Sequence, residues 1–377
     1  MPIKLAIPKE TARGERRVAL DPSVAARFAQ TGIEVLLQKG AGSEAHFPDE
    51  AYTEARVVDD AKTAFGEADI VVKVAPPTVE EINQMKDGAL MAGFFHAHKH
   101  PDVVQALQKK KITAFAMELI PRISRAQSMD ALSSQAAVGG YKAALMGADL
   151  SCRFFPMLTT AAGTIRPAKV MVIGAGVAGL QAIATARRLG ALVEAYDVRS
   201  ATREQVESLG ARFIDLGVQA EGEGGYAREL TDEEKAQQQE ALARHVAQAD
   251  VLITTAAVPG RQAPVLIPQK MVSGMKPGAV IIDLAAESGG NCELTKPGKT
   301  VTRGGVTIHG PENVASQVAL HASEMYAKNL FNFLTPMLPE GRLELNWDDE
   351  VIAQSCLTHE GAIRHEATRS LIEGAKS

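Results

Sequence analysis

Short apolar runs punctuate the chain, separated by stretches in which apolar residues recur at helical spacing. In the first third they are IKLAI at 3–7, IEVLLQ at 33–38, DIVVKV at 69–74, ALMAGFF at 89–95 and ITAFAM at 112–117, with a helical pattern opening near Pro22. Strands alternating with helices in this way predict a parallel α/β sheet. The second half repeats the alternation with VMVIG at 170–174, LVEAY at 192–196, DVLITT at 250–255 and AVIIDLA at 279–285. At 377 residues the chain exceeds the size at which one core keeps growing, so two α/β domains are expected. Residues 130–153 have long-helix character, with Asp130 or Ser128 near the N-cap. Residues 313–334 form a second amphipathic pattern, with Val314, Val318, Met325, Leu330 and Leu334 among its apolar positions. We read the second as a return to the first domain, so that residues 136–310 form an inserted domain and 1–135 with 311–377 form the other.

The run KVMVIGAGVAGL at 169–180 joins a strand to a helix through Gly174, Gly176 and Gly179 in G-x-G-x-x-G spacing. The first glycine permits the tight turn and the second lets backbone N–H groups approach a pyrophosphate. The third lets helix and strand pack closely, with the anion at the positive helix N-terminus. A second strand then ends at Asp197, about twenty residues on, where an acid accepts the hydroxyls of an adenosine ribose. Strand, glycine turn, helix, strand and acid together predict a dinucleotide site. Asp197 would repel a 2′-phosphate and so favours NAD(H) over NADP(H), with the cation of Arg199 acting in the opposite sense.

A formal charge of −5 gives no general attraction to nucleic acid or anionic lipid. The three cysteines, Cys152, Cys292 and Cys356, are scattered and odd in number, which suggests neither a disulfide framework nor a structural zinc site and fits a reducing cytoplasm. The N-terminus lacks a signal-peptide core, and the most apolar stretch, 171–186, is too short and glycine-rich to span a bilayer, so no membrane anchor is expected in the chain. Three polar stretches remain. The glycine-rich excursion at 216–230 is either a disordered surface loop or a lid with Tyr226 as its packing residue. The segment MELIPRISRAQSMDALSSQ at 117–135 follows a strand and is either a capped linker or a ligand-binding loop. His96, His98 and His100 alternate without a nearby cysteine or acid in ligand spacing, the pattern of a solvated turn rather than a metal site.

The runs PRISRAQSMDALSSQ, GYKA and TAAGTIRPAKVMVIGAGVAGLQAIATARRLGA closely resemble the NAD(H)-binding component of proton-translocating nicotinamide nucleotide transhydrogenase. The resemblance continues through VRSATREQVESLGARF, GGYAREL, PGRQAPVLI and VIIDLAAESGGNCE and covers nearly the whole chain. It implies two Rossmann-like α/β domains with parallel sheets and a nucleotide cleft between them. By motif match it places Arg122, Gln127, Ser128, Met129, Asp130 and Ser133 at the nicotinamide end of NAD(H), with Arg122, Gln127 and Asp130 setting the reacting geometry. Val177, Asp197, Val198 and Arg199 fall near the pyrophosphate and adenosine, and Gly225 and Tyr226 on a mobile loop that closes over the nucleotide. It further implies a homodimer that lies at the inner face of the cytoplasmic membrane through its partners, a membrane-embedded subunit and one that carries NADP(H).

Alanine dehydrogenase is the related alternative. It shares the KE…GERRVAL pattern and the GAGVAG turn, with Arg17 where its substrate arginine lies, His96 where its catalytic histidine lies and Glu287 near its active-site acid. In VVKVAPP, however, Ala75 stands where its catalytic lysine belongs, and Lys73 falls in the strand. Reducing an imine requires proton movement beside the hydride, whereas exchange between two nicotinamides does not. A non-enzymatic NAD-sensing module is a third reading.

Overall fold

The computed structural model describes residues 2–217, 230–257 and 260–374, apart from the side chains of Asp232 and Lys235. The chain divides into two compact units, one of Met1–Gln135 with Ser316–Ser377 and one of Ala136–Ala315.

In the first unit, eight strands among the described residues form one sheet. Across it they run Ala362–Ile363, Cys356–His359, Thr113–Ala116, Leu90–Gly93, Ile70–Val72, Lys4–Ile7, Glu34–Gln38 and Ala55–Val58. Neighbours are parallel except where Cys356–His359 meets Thr113–Ala116 and Ala362–Ile363. The strands read as continuous apolar runs because helices cover both faces. Leu5 and Ile7 enter one core and Ala6 the other; Ile70 and Val72 oppose Val71 in the same way. That alternation is the period of two that a strand imposes.

The helix Ala319–Leu334 closes the first of these cores with Tyr326, Leu330, Phe333 and Leu334, all buried. Each large apolar side chain so buried contributes about 1.5–3 kcal/mol. The same helix also carries buried polar groups that reach loops following three strands. Ser323 Oγ accepts from Val18 N at 3.0 Å, Tyr326 Oη donates to the Lys73 carbonyl at 2.8 Å, and Asn329 Nδ2 donates to the Ser128 carbonyl at 2.9 Å.

The second unit has a seven-stranded sheet among the described residues, in the order Arg212–Phe213, Leu192–Tyr196, Lys169–Ile173, Val251–Thr254, Val280–Asp283, Val306–Gly310 and Lys299–Arg303. Only the last is antiparallel to its neighbour. Strand succession runs outward on one side of Lys169–Ile173 and resumes on the other, the doubly wound arrangement with a switch point beside that strand. Here too the faces alternate, Val170 and Val172 against Met171 and Ile173. The expectation of two Rossmann-like α/β domains therefore holds. The pattern did not mark the short or half-polar pairings: Ala55–Val58, Lys299–Arg303, Cys356–His359 and the hairpin Leu158–Thr160 with Gly163–Ile165. Cys356–His359 is buried on both faces, but Thr358 and His359 cut its apolar run to two residues; the others have one buried face or none, so they carry no continuous apolar run.

Candidate functional site

In the second unit the strand Lys169–Ile173 gives way at Gly174, whose φ of +94° lies in the left-handed region open to glycine. A Cβ there would stand 2.6 Å from Thr255 Oγ1, and one on Gly179 would collide with the Gly174 carbonyl. Gly176, the N-cap of the helix Val177–Arg188, is different: a Cβ on it would meet only Arg199 Nη2, at 4.0 Å. Two glycines are thus required by packing, while the third leaves open space in front of a helix N-terminus. Such a cradle fits a pyrophosphate, since first-turn N–H groups and the helix dipole both point at it. Close packing extends to the helix Ala131–Leu150, where a Cβ on Gly140 would collide with the Ala178 carbonyl.

Asp197 ends the strand Leu192–Tyr196, and its side chain is 5% exposed. Its Oδ2 accepts from Ala175 N in the glycine turn at 2.7 Å and from Arg199 Nη2 at 2.6 Å. Its Oδ1 accepts from Arg199 N and Nε, both at 2.8 Å. The acid therefore fastens the turn to the second strand, and a bidentate guanidinium covers it. Val198 packs partly buried against the core, and Val177 is 44% exposed at the start of the helix. Gly225 and Tyr226 lie outside the described residues.

The polar segment belongs to the first unit. Gln127, Ser128 and Met129 lie in the 3-10 turn Ser124–Met129, five to seven residues after the exposed Arg122. Met129 packs against the core, and Gln127 and Ser128 are exposed. Asp130 caps the following helix, its Oδ1 accepting from Ser133 N at 2.9 Å and its Oδ2 from Ser133 Oγ at 2.6 Å. So the turn is both a helix cap, as the plainer sequence reading has it, and a surface of exposed polar groups.

The first unit has a switch point as well, between Lys4–Ile7 and Ile70–Val72, but charges fill it. Lys73, 1% exposed, lies 3.0 Å from Glu10 Oε2 and 3.3 Å from Glu81 Oε1. Burial works to lower the Lys73 pKa, but attraction to Glu10 and Glu81 wins and raises it. Burial likewise pushes the Glu10 pKa up, against the pull of Lys73. Nearby Arg17 is held bidentate by Glu15, at 2.8 and 2.7 Å, and donates to Gln135 Oε1 at 2.9 Å. His96 takes a left-handed backbone, φ +45°, and stacks on Phe94. Burial, helped by the cations around it, lowers its pKa to about 4, so it is neutral at pH 7. Glu118 accepts from the backbone N–H groups of Phe95 and His96 at 3.0 and 2.6 Å, fixing that loop. Sequence reasoning missed this buried acid–base cluster except for Arg17, His96 and Lys73, and it missed Asn329 altogether. A polar residue inside an apolar helical stripe is the one signal that marks Asn329.

A doubly wound sheet opened at its switch point by a glycine turn, and latched there by an acid, defines an α/β protein of the dinucleotide-binding type. Two family models match, "Alanine dehydrogenase/PNT, N-terminal domain" over residues 6–139 and "Alanine dehydrogenase/PNT, C-terminal domain" over 143–366. The chain belongs to the alanine dehydrogenase/PNT family. It is 50% identical to the first part of NAD(P) transhydrogenase subunit alpha from Rhodospirillum rubrum, over 97% of this chain and 98% of that one. The solved transhydrogenase of Sinorhizobium meliloti superposes with a TM-score of 0.87 at 44% identity, covering 96% of this chain and 99% of that one. A solved L-alanine dehydrogenase superposes at 0.82 with 25% identity, covering 99% of both chains.

Proposed function

We propose that the chain is the NAD(H)-binding subunit of a proton-translocating transhydrogenase, passing hydride between NADH and NADP⁺ held by a partner subunit. The observation that carries this is the pairing of one open glycine cradle, at Gly176, with a switch point in the other unit that Glu10, Lys73 and Glu81 fill. Only one of the two doubly wound sheets offers a nucleotide its crevice, so the second nicotinamide must come from another chain. The similarity to subunits named NAD(P) transhydrogenase alpha agrees with this and with the need for partners.

In this account the helix Val177–Arg188 receives the pyrophosphate, and Asp197, Val198 and Arg199 receive the adenosine ribose. Arg122, Gln127, Ser128, Met129, Asp130 and Ser133 hold the nicotinamide end, and Gly225 and Tyr226 close over it. The bound dihydronicotinamide supplies the hydride. The chain supplies position and a water-poor setting, since fixing the two rings is most of what such a transfer needs. Proton translocation belongs to membrane subunits, which hold this chain at the inner face of the cytoplasmic membrane. Among the described residues no helix is long and apolar enough to cross a bilayer. A homodimer fits the exposed apolar hairpin region, where Phe154, Met157 and Ile165 are 53%, 65% and 48% exposed.

The alanine dehydrogenase reading is weaker on chemistry. Arg17 is committed to Glu15, Lys73 to Glu10 and Glu81, and position 75 offers no amine. Purified protein given alanine and NAD⁺ should yield no pyruvate above background, and sustained turnover would overturn the proposal. Mixed with an NADP(H)-binding subunit, it should gain NADH–NADP⁺ exchange; NADH binding without exchange would leave the sensing module.

A further inference from the structure

We infer that Asn329 is a positioning residue that fixes the geometry of the polar turn; its catalytic consequence rests on the transhydrogenase reading above. Asn329 is 6% exposed on the buried face of the helix Ala319–Leu334. Its Oδ1 accepts from Ser134 Oγ at 2.6 Å and its Nδ2 donates to the Ser128 carbonyl at 2.9 Å. One amide therefore grips the chain on both sides of Asp130 and Ser133, which are themselves joined at 2.6 Å. Asn332, one turn on, donates to the same Ser128 carbonyl at 3.1 Å. Beyond Ser134, Gln135 is held by Arg17 Nη1 at 2.9 Å and donates to the Ala322 carbonyl at 3.1 Å.

Residues 128–135 are thus tied by side chains at both ends, while Gln127 and Ser128 present their side chains to solvent. Only a carboxamide fits position 329, because the grip needs a donor and an acceptor on adjacent atoms. An aspartate would set a carboxylate oxygen against the Ser128 carbonyl. An alanine would leave Ser128 with Asn332 alone and turn the Ser134 hydroxyl back to the Ala131 carbonyl of its own helix, 3.2 Å away, so the helix Ala319–Leu334 would lose its hold on Ser134. Asn329 has no reacting role of its own: loosening the turn lets the groups proposed to hold the nicotinamide drift.

The test uses the full chain mixed with an NADP(H)-binding transhydrogenase subunit, comparing the parent with Asn329→Ala and Asn332→Ala. NADH dissociation constants are measured by equilibrium titration, and exchange rates at saturating NADH. Asn329→Ala should lower the saturated rate by about 10- to 100-fold, the size of effect a displacement near 1 Å produces, while the dissociation constant moves less than about threefold. Asn332→Ala, a change at a half-buried position that removes one of two donors, should lower the rate by a smaller factor with little change in the urea midpoint. Saturated rates within twofold of the parent for both variants would overturn the inference, as would rate and affinity falling in equal proportion. Should the parent itself exchange no hydride, the transhydrogenase reading fails. The positioning claim then stands or falls on amide exchange of residues 124–130, which must quicken in Asn329→Ala and would refute it if unchanged.

Discussion

Asp197→Asn separates two roles that the structure gives one carboxylate. The wild-type group accepts from Ala175 N and from three nitrogens of Arg199, occupying the roughly four acceptor positions a carboxylate has, so a ribose hydroxyl bonds to it by displacing an Arg199 N–H. Asparagine keeps one oxygen and turns an NH₂ toward either Ala175 N–H or the guanidinium, so a donor faces a donor. Losing one partner of a buried hydrogen-bonded group costs about 1–3 kcal/mol. The lower end applies here, because the Arg199 side chain is 21% exposed and can turn to water. Nucleotide preference should change more visibly. In the wild type the Arg199 cation is cancelled by Asp197; in the variant it is not. Two opposite charges about 4 Å apart near a surface attract by up to about 4 kcal/mol. Solvent and the loss of ribose contacts reduce this, leaving about 1.4–2.7 kcal/mol, a 10- to 100-fold rise in NADPH affinity relative to NADH. Arg199→Ala should move the ratio the other way, since it uncovers the carboxylate. Titration calorimetry with both nucleotides on the three proteins decides it. A ratio within threefold of wild type in Asp197→Asn, or both variants shifting in the same direction, would refute the assignment of Asp197 to the ribose.

Gly179→Ala should abolish NADH binding and lower the melting temperature, because its Cβ collides with the Gly174 carbonyl; unchanged thermal unfolding would contradict the packing. Lys73→Met leaves Glu10 buried without its cation and should destabilise by about 3–5 kcal/mol at pH 8. Glu10 already has a pKa raised above the ordinary carboxyl value of 4.5, and losing the Lys73 cation raises it further, so it takes up its proton above pH 4.5; that relieves the defect, and the urea midpoint of the variant should approach wild type as pH falls. His96 behaves oppositely: its folded pKa of about 4 lies below 6.5, so its share of stability is whole above pH 6.5 and lost as pH falls toward 4. Between pH 7 and pH 5 His96→Gln should lose about 2 kcal/mol less than wild type in urea unfolding, and parallel losses would refute the neutral histidine. Met157→Asp combined with Ile165→Asp should convert the proposed dimer to monomer by sedimentation, with NADH binding kept.

The glycine turn and its acid were legible in the sequence because each element has a local cause: a turn needing positive φ at Gly174, no Cβ at Gly179, and an acid one strand later. The parallel strands were equally legible, since burial on two faces writes an unbroken apolar run such as Val170–Ile173. What stayed hidden is non-local. Lys73 reads as a strand residue, and nothing near it announces that Glu10 and Glu81, 63 and 8 positions away, will enclose it. Asn329 meets Ser128 across 201 positions. Long-range partners of buried polar groups are set by the packing of the whole unit, which periodicity cannot express.

The central claim is direct transfer of hydride from a nicotinamide on this chain to one on another. The measurement is to load the chain with NADH deuterated at C4, add the NADP(H)-binding subunit with NADP⁺, and follow the label by mass spectrometry. Direct transfer predicts deuterium in the NADPH formed, none released to water, and no transfer when either protein is omitted. Label lost to water, or transfer by this chain alone, would contradict it.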